Sequence, residues 1–459
     1  KVAVAPDWTF HTLYENGRRV RKARLPNYKF YPRHASASAP YFKSERGSPE
    51  LKTGQTNGWI VCRAQDVALA AIDKRQLRIN VWPWGKCDWQ RYIFRVVDVD
   101  PQKRKLTFHN MGDRTKIGAQ ARYFLEDSMS LLDAPGEFFL DREKNTLFYI
   151  PLGEGHPDEL NVVAPATLDI VRIEGESRDN PVRNLVFDGL GFDITDGISP
   201  RRHWWHYRWK GTNHALLRLK DTERIEIRNG HFKNSGCSGI FMSRHNVSNI
   251  VTGCWIEQMG VNGITLCNWV STDGKGEKPN KDRLEHNILT NNKIHDVGQL
   301  VVYCACVNLM CGSHNQISHS EFYNSPRYAT TMRGNVAGQY GPERLNPNIP
   351  PAAGNVFEYL DTHDLGHDSG DMGALHTATL NLRGGTAVNT FRQITVTRVY
   401  AVPGMKDYPP DGIFLDWPSR SMHQRFENVW IRDVQGRRLR TNGHDNRHSA
   451  VTRNVSWEK

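Results

Sequence analysis

Acidic and imidazole side chains are concentrated in two short stretches in the C-terminal half of this 459-residue chain. Residues 361–376 read DTHDLGHDSGDMGALH, and residues 411–418 read DGIFLDWP. In each stretch an aspartate lies directly beside a short apolar strand pattern. Hydrolysis of a glycosidic bond needs one carboxyl group as acid and a second as base or nucleophile. Two aspartate-bearing strands close together in the chain therefore predict this chemistry.

The acids are selected by aligning the two apolar patterns. Placing Gly-Ala-Leu of the first stretch opposite Gly-Ile-Phe of the second puts Asp371 near Asp411, where the strands begin. The same alignment puts Asp416 near His376, where they end. We predict Asp371 and Asp416 as the catalytic pair, because they are attached most directly to the strands. An aspartate before glycine is also a common turn residue, and for Asp411 that alternative stays open. The supporting or alternative acid–base residues are Asp411, Asp368 and His376.

Four further residues are predicted to bind the substrate, namely Arg333, His363, His367 and Trp417. Trp417 follows Asp416 and offers an aromatic ring on which the apolar face of a sugar packs. Arg333, on the preceding repeat, is placed to hold a hydroxyl or sulfate group or to lower the pKa of a nucleophile. His363 and His367 lie four residues apart, a metal-ligand spacing on a helix. No helical periodicity surrounds them, so neither a metal nor a cofactor is predicted.

The elements that carry these residues belong to a repeat that begins near residue 183. Each unit has an Asn- or Asp-rich turn, a short apolar strand, a turn of small residues and a second strand. Phe232 to Ile256 is 24 residues, and Ile294 to Phe322 is 28. This period without helical patterning predicts an all-β fold, a right-handed parallel β-helix. Its coils hydrogen-bond at about 4.8 Å, and asparagines at the turns form ladders between coils.

Residues 1–170 differ in pattern from the repeat: they hold many of the tryptophans and prolines and have no fixed period. Alternating runs such as RYIFRVVDVD and EFFLDREKNTLFYIP predict antiparallel strands joined by tight turns. We therefore predict a β-rich barrel or sandwich domain at residues 1–170, inserted in the first coils. Residues 171–459 are predicted to form the β-helix and to carry the active-site groove.

The amino-acid composition limits the classes of partner that the protein is expected to bind. The net charge of +11 favours an anionic partner, but no helix-turn-helix, zinc-finger or RNA-recognition pattern is present, so nucleic acid is not expected. No apolar run reaches about 18 residues, so no membrane-spanning helix is predicted. The chain begins in mid-pattern, as a mature chain does, and we expect a secreted or periplasmic protein. Eight cysteines without a CxxC pair predict buried free thiols rather than a zinc site.

The motifs SGDMGALH and DGIFLDW, with NKIHD at residues 292–296, resemble those of bacterial β-helix glycoside hydrolases. The nearest resemblance is to glycoside hydrolase family 141, whose activities include α-L-fucosidase and xylanase. Residues 16–27 and 123–151 resemble the β-rich inserted domain of such proteins. The resemblance implies a catalytic pair of aspartates, which matches Asp371 and Asp416.

The Leu-Asp-Trp form is also similar to that of family 120 β-xylosidases, which implies a nucleophilic aspartate at Asp416. Those enzymes take their acid from a glutamate one coil later. Here the corresponding residues 439–443 read LRTNG and carry no carboxylate. This departure favours Asp371 or Asp411 as the acid.

The sequence thus predicts a glycoside hydrolase acting on a plant or algal polysaccharide or oligosaccharide, with an anionic or sulfated glycan favoured by the charge. Two alternatives stay open. A polysaccharide lyase would need cationic side chains to neutralise a uronate and a base to abstract its proton. The residues available for this are Arg327, Tyr328, Arg333, His363 and His376. A non-catalytic glycan-binding β-helix is the other alternative.

Overall fold

The computed structural model describes residues 1–27, 40–49, 57–83, 89, 91–109, 116–153, 159–198, 202–203, 213–268, 282–334, 352–368, 370–378, 387–401, 408–416, 424–442 and 450–458. The chain divides into two compact units. The first comprises the described parts of Lys1–Pro32, Ser36–Ala166 and Asp196–Trp204, and the second those of Thr167–Thr195 and Trp205–Lys459.

The first unit is built of short, mostly antiparallel strands. Their bounds are β1 (Val2–Ala3), β2 (Leu13–Glu15), β3 (Arg18–Lys22), β4 (Arg24–Leu25), β5 (Phe42–Lys43), β6 (Arg46–Gly47), β7 (Gly58–Val61), β8 (Arg78–Trp82), β9 (Arg91–Asp100), β10 (Lys105–Phe108), β11 (Arg122–Glu126), β12 (Glu137–Asp141), β13 (Thr146–Ile150), β14 (Val162–Val163) and, after four strands of the second unit, β19 (Arg202–His203). Two 3₁₀ helices span Leu69–Ala71 and Met129–Leu131.

Two sheets organise the first unit. One has the strand order β1-β13-β12-β3-β2-β14, and the other follows the path β4-β11-β8-β9-β10-β7-β6. Alternation along β9 directs Tyr92, Phe94 and Val96 into the core, as expected for a strand with one buried face. The Phe94 ring stacks on Phe108 of β10 at a centroid distance of 5.1 Å. This packing confirms the β-rich character predicted for the region.

The second unit is a solenoid of parallel strands. Their bounds are β15 (Val171–Glu174), β16 (Val182–Arg183), β17 (Val186–Asp188), β18 (Gly191–Asp193), β20 (Ala215–Glu223), β21 (Glu226–Arg228), β22 (His231–Lys233), β23 (Ser238–Val247), β24 (Ile250–Thr252), β25 (Trp255–Glu257), β26 (Ile264–Cys267), β27 (Leu284–Glu285), β28 (Ile288–Thr290), β29 (Lys293–His295), β30 (Ala305–Met310), β31 (Gln316–Ser325), β32 (Tyr328–Arg333), β33 (Val356–Leu365), β34 (Gly373–Ala378), β35 (Asn389–Val399), β36 (Asp411–Leu415), β37 (Gln424–Val434), β38 (Leu439–Thr441) and β39 (Ala450–Glu458).

These strands form two long sheets in which each strand pairs with the equivalent strand of the next coil. An eleven-stranded sheet follows the path β15-β20-β23-β26-β30-β32-β34-β36-β38. A thirteen-stranded sheet contains β17, β18, β21, β22, β24, β25, β28, β29, β31, β33, β35, β37 and β39. The pairing within both sheets is parallel, for example Ile240 with Ile264 and Ile264 with Val307. The predicted parallel β-helix with a β-rich domain is confirmed.

An asparagine ladder holds successive coils in register. The backbone N–H of Asn249 donates to Oδ1 of Asn287 at 3.0 Å, and Asn287 donates in the same way to Asn315 at 3.1 Å. Asn315 continues to Asn355 at 3.0 Å, and Asn355 to Asn389 at 2.9 Å. All five side chains are buried, so these bonds satisfy backbone groups that would otherwise lose water without compensation. The ladder thereby fixes which residues of neighbouring coils lie opposite each other.

The core of the solenoid contains stacked aromatic rings and free thiols. Phe357, Phe391 and Phe426 stack on three successive coils at 4.6 and 4.8 Å. The seven cysteines within the described ranges are all buried and free, as predicted. In the same ranges, no helix is both long and apolar enough to cross a membrane.

Candidate active site

Four neighbouring strands of the eleven-stranded sheet carry the predicted acids. They are β32, β34, β36 and β38, and their registers place Thr331, His376, Phe414 and Arg440 opposite one another on successive coils. The predicted alignment of the strands was wrong by one residue, because Leu375 pairs with Ile413 and not with Phe414. Side chains alternate along a strand, so this register keeps both Leu375 and Ile413 in the core.

Asp371 lies in the turn that leads into β34. Its backbone has a left-handed φ of 54°, and its N–H donates to the carbonyl oxygen of Tyr408 at 2.8 Å. The side chain is 24% exposed, and its Oδ1 accepts a hydrogen bond from Nη2 of Arg440. The guanidinium of Arg327 donates to the Asp371 carbonyl oxygen at 2.8 Å. The turn is therefore fixed from two sides, while the carboxylate stays partly open to solvent.

Asp411 begins β36 and is buried, with a side chain only 2% exposed. Its Oδ1 accepts the backbone N–H of Arg437 at 2.6 Å, and its Oδ2 lies 3.4 Å from Nη1 of Arg440. Burial raises the pKa of Asp411 to about 6, although the Arg437 N–H and the Arg440 charge act in the opposite direction. Through these contacts the Asp411 carboxyl group stabilises the turn before β38.

Asp416 follows the last residue of β36 and is 19% exposed. Its Oδ1 accepts a hydrogen bond from Nδ2 of Asn442 at 3.0 Å, and its Oδ2 lies 3.5 Å from Nε2 of His376. Burial alone would raise the pKa of Asp416. The contact with His376, the positive charge of Arg333 and the Asn442 hydrogen bond outweigh that effect, and the pKa is lowered overall. Asp416 is thus held in its ionised form.

His376, in β34, lies directly behind Asp416 and is 1% exposed. Its Nδ1 is 2.9 Å from the Thr331 hydroxyl, and its ring lies 4.6 Å from that of Tyr328. Burial lowers the pKa of His376 to about 4, and Arg333 adds to this while Asp416 opposes it. At neutral pH the imidazole is therefore uncharged, and its burial keeps it from reaching a sugar directly.

Two residues of the following coil complete the arrangement, and the sequence did not indicate either of them. The Arg440 guanidinium packs 4.1 Å over the Phe414 ring and contacts both Asp371 and Asp411. Its Nη2 is also 3.4 Å from Oδ1 of Asn442, which binds Asp416. Arg440 and Asn442 therefore connect the two partly exposed aspartates. The one feature of the sequence that could have identified them is their position in the repeat, one coil after GIFLD.

Arg333 lies beside this group but is 3% exposed. Its Nη2 donates to the Tyr303 hydroxyl at 2.7 Å. Arg327 packs 4.4 Å over the Tyr303 ring. The two buried guanidiniums thus share contacts with Tyr303. The positive charge of Arg333 contributes to the lowered pKa of Asp416.

Two of the predicted histidines lie in β33 and just after it. His363 belongs to β33 of the thirteen-stranded sheet, where its Nδ1 lies 2.8 Å from Asp364 and its ring stacks on Tyr323 at 4.8 Å. His367 follows β33, and its Nε2 lies 2.6 Å from the carbonyl oxygen of Asp364. Asp368 is buried, and its N–H donates to the Pro326 carbonyl oxygen at 3.2 Å. Trp417 lies outside the described residues.

Two groups in the described ranges have side chains suited to a metal ion. They are Glu257 with His295 and Asp296, and Glu321 with Asp361 and His363. In each group the ligand atoms lie within 4.8 Å of one another. Glu321 also pairs with Lys293 at 3.0 Å, so its charge is already partly neutralised. Neither group includes any of the predicted aspartates Asp371, Asp411 and Asp416.

No protein-family model matches the sequence, and no curated protein matches it either. Among solved structures, the chain is similar to a protein described as a glycoside hydrolase, with a TM-score of 0.75 and 15% identity over 99% of this chain and 79% of that one. The chain has the fold of a glycoside hydrolase.

Weaker similarities have TM-scores below 0.5 and add nothing to that conclusion. One is to an alginate lyase from Paenibacillus sp. str. FPU-7, at 0.39 and 11% identity over 63% of this chain and 88% of that one. Another is to the catalytic domain of a GH87 α-1,3-glucanase, at 0.34 and 10% identity over 99% and 96%. Membership of family 141 stays a prediction.

Proposed function

We propose that this protein is a glycoside hydrolase that cleaves O-glycosidic bonds of a polysaccharide through Asp371 and Asp416. The observation that carries the proposal is their shared setting. Both are partly exposed, with Asp371 just before β34 and Asp416 just after the neighbouring strand β36, and both are held by side chains of the coil that carries β38, Arg440 and Asn442. The similarity in fold to a glycoside hydrolase supports the same interpretation.

The two carboxyl groups are assigned different roles by their surroundings. Asp416 is kept ionised beside His376 and Arg333, which suits a nucleophile or a base. Asp371 is the other partly exposed carboxyl group and takes the role of the proton donor. Asp411 is too deeply buried to contact a sugar, and we assign it to the turn that it binds.

The substrate we propose is a plant or algal glycan, anionic or sulfated, degraded outside the cytoplasm by a secreted or periplasmic enzyme. The net charge of +11 favours the approach of a polyanion. Activities of the family 141 type, on fucosides or xylans, belong to this proposal as its narrower form.

Hydrolysis is favoured over elimination by the burial of the groups that a lyase would use. A lyase base must contact the proton that it removes from the sugar ring. The candidates in this sheet are each at most 3% exposed, namely Arg327, Tyr328, Arg333 and His376. His363, the remaining candidate, is 15% exposed but lies in the thirteen-stranded sheet. The partly exposed carboxyl groups among the described residues of the site are instead Asp371 and Asp416.

The test is a screen of neutral, sulfated and uronate glycans for two signals, new reducing ends and the ultraviolet absorbance of unsaturated products. Asp371→Asn and Asp416→Asn are expected to abolish reducing-end release. Asp361→Asn, an exposed acid of the thirteen-stranded sheet, is the matched control and should keep full activity. Unsaturated products that persist in both active-site variants would establish a lyase. Binding without either signal would establish a glycan-binding protein.

A further inference from the structure

Three side chains of successive coils form a buried polar line that ends at the proposed active site. Thr331 in β32, His376 in β34 and Asp416 after β36 are linked by contacts of 2.9 Å and 3.5 Å. Thr331 and His376 are each 1% exposed, whereas Asp416 is 19% exposed. The line therefore runs from the interior of the protein to a carboxylate that solvent and substrate can reach.

The chemistry of the three groups decides where the imidazole proton lies. A neutral imidazole has one N–H donor and one acceptor nitrogen. Nε2 faces Oδ2 of Asp416, and an ionised carboxylate only accepts hydrogen bonds. The proton therefore belongs on Nε2, which leaves Nδ1 as the acceptor for the Thr331 hydroxyl. Among the described residues, Nε2 has no closer polar partner than Asp416.

The packing around His376 leaves little freedom for another arrangement. Its ring lies between Tyr328, at 4.6 Å, and Phe414, at 5.6 Å and nearly perpendicular. The ring is thus held between two aromatic side chains, and the Thr331 hydroxyl fixes its rotation by donating a hydrogen bond to Nδ1. The distance of 3.5 Å to Asp416 is longer than a typical hydrogen bond, so the attraction there is mainly electrostatic.

We infer that Thr331 and His376 form a buried relay that orients the Asp416 carboxylate, with Thr331 acting as a positioning residue through its hydrogen bond to Nδ1 of His376. The relay rests on the proposed function only in giving Asp416 a catalytic role. The hydrogen-bonding pattern itself is independent of that role and can be measured separately.

The first measurement is nitrogen NMR of the full chain labelled with ¹⁵N-histidine. The His376 signals are assigned by their loss in His376→Gln. In the unsubstituted protein we expect a proton on Nε2 and a bare Nδ1. Thr331→Val removes the hydroxyl at nearly constant shape and should shift the Nδ1 signal, because that nitrogen loses its hydrogen-bond donor, while Thr331→Ser should restore the original signal. A proton on Nδ1 in the unsubstituted protein would overturn the inference, whatever the variants do.

The second measurement is steady-state kinetics on the glycan identified by the screen. Loss of one buried hydrogen bond should lower kcat of Thr331→Val by roughly tenfold, with KM changed less than about twofold, because orientation and not binding is lost. Thr331→Ser should stay near the original rate. Thr265→Val is the matched control, since Thr265 is a buried threonine of the same column, bonded to Asn262 at 3.0 Å.

The two measurements separate the possible failures. The expected tautomer together with full activity of Asp416→Asn would leave the relay in place and remove the catalytic role of Asp416. An equal loss of kcat in Thr331→Val and Thr265→Val would mean that any buried threonine of the column matters, and would overturn the positioning role.

Discussion

At the scale of single residues, the proposed site rests on which carboxyl groups are exposed to solvent. Asp371 and Asp416 are 24% and 19% exposed, while Asp411 is 2% exposed and binds a turn. Exposure could not be predicted from the sequence, where all three aspartates flank the same kind of apolar strand. The role of Arg440 could not be predicted either, because an arginine in a strand usually has a solvated side chain. Here it packs on Phe414 and contacts two acids.

Arg440→Gln is expected to lower kcat by roughly tenfold to a hundredfold, because it removes a charge-assisted hydrogen bond of about 1.5–3 kcal/mol that holds the Asp371 side chain in position, together with the contact to Asn442. Arg440→Lys should retain part of the rate, since one ammonium group can serve one carboxylate. Steady-state kinetics on the same glycan measures both. Arg437→Gln is the control, because the exposed Arg437 binds Asp411 through its backbone N–H. An unchanged rate in Arg440→Gln would show that Asp371 needs no such partner.

The raised pKa of Asp411 predicts that the stability of the folded protein depends on pH. Its pKa is raised from 3.8 to about 6 in the folded protein, so the folded state holds its proton more tightly than the unfolded chain does. The stability contributed by that proton is fully present below about pH 4 and is lost as the pH rises through about 6. The loss is roughly 3 kcal/mol at most.

Asp411→Asn has no such proton to lose, and its amide oxygen can still accept the Arg437 N–H. Urea unfolding of both proteins from about pH 4 to about pH 7 measures the difference in the free energy of unfolding across the range in which Asp411 titrates. We expect the unsubstituted protein to lose stability relative to the variant as the pH rises. Parallel curves would place the folded pKa of Asp411 near its ordinary value.

At the scale of elements, the repeat was sufficient to predict the parallel β-helix, since apolar strands separated by asparagine turns suit no helical pattern. The register between β34 and β36 could not be predicted from the repeat. Both strands contain a glycine followed by apolar residues, and matching the glycines shifted the alignment by one. Leu375 and Ile413 set the true register, because both must lie in the core. Contacts that span two coils, such as Arg440 with Asp371, depend on this register.

The asparagine ladder should control the stability of the solenoid. Asn315→Ala removes the acceptor of the Asn287 N–H and the donor to Asn355, and leaves buried backbone groups unsatisfied. We expect the free energy of unfolding to fall by roughly 2–4 kcal/mol, measured as the shift of the urea unfolding midpoint. Asn161→Ala, at an exposed position in the first unit, is the control and should shift the midpoint little. Equal shifts would mean that the ladder contributes no more than a surface asparagine.

At the scale of the whole molecule, the net charge of +11 provides a test of the proposed preference for anionic glycans. Attraction of a polyanion by many dispersed cations is screened by salt, with a Debye length of about 10 Å at 0.1 M. If the substrate is sulfated or contains uronates, KM should rise several-fold between about 0.05 and 0.5 M sodium chloride, with kcat nearly constant. Kinetics on a neutral glycan of similar length is the control. A KM independent of salt on the anionic glycan would count against the charge as a determinant of specificity.

The placement of Asp371 and Asp416 on different coils has a further consequence for how such a molecule can change its stereochemistry. Coils repeat at about 4.8 Å, so any gain or loss of a complete turn between two acids changes the component of their separation along the solenoid axis by steps of that size. Retaining and inverting glycosidases differ in carboxyl separation, about 5–5.5 Å against 6.5–9.5 Å, by less than one such step. Duplication of a single turn between the acids is thus a mutation that could convert a retaining enzyme into an inverting one. One coil is the smallest change of this kind that a solenoid allows.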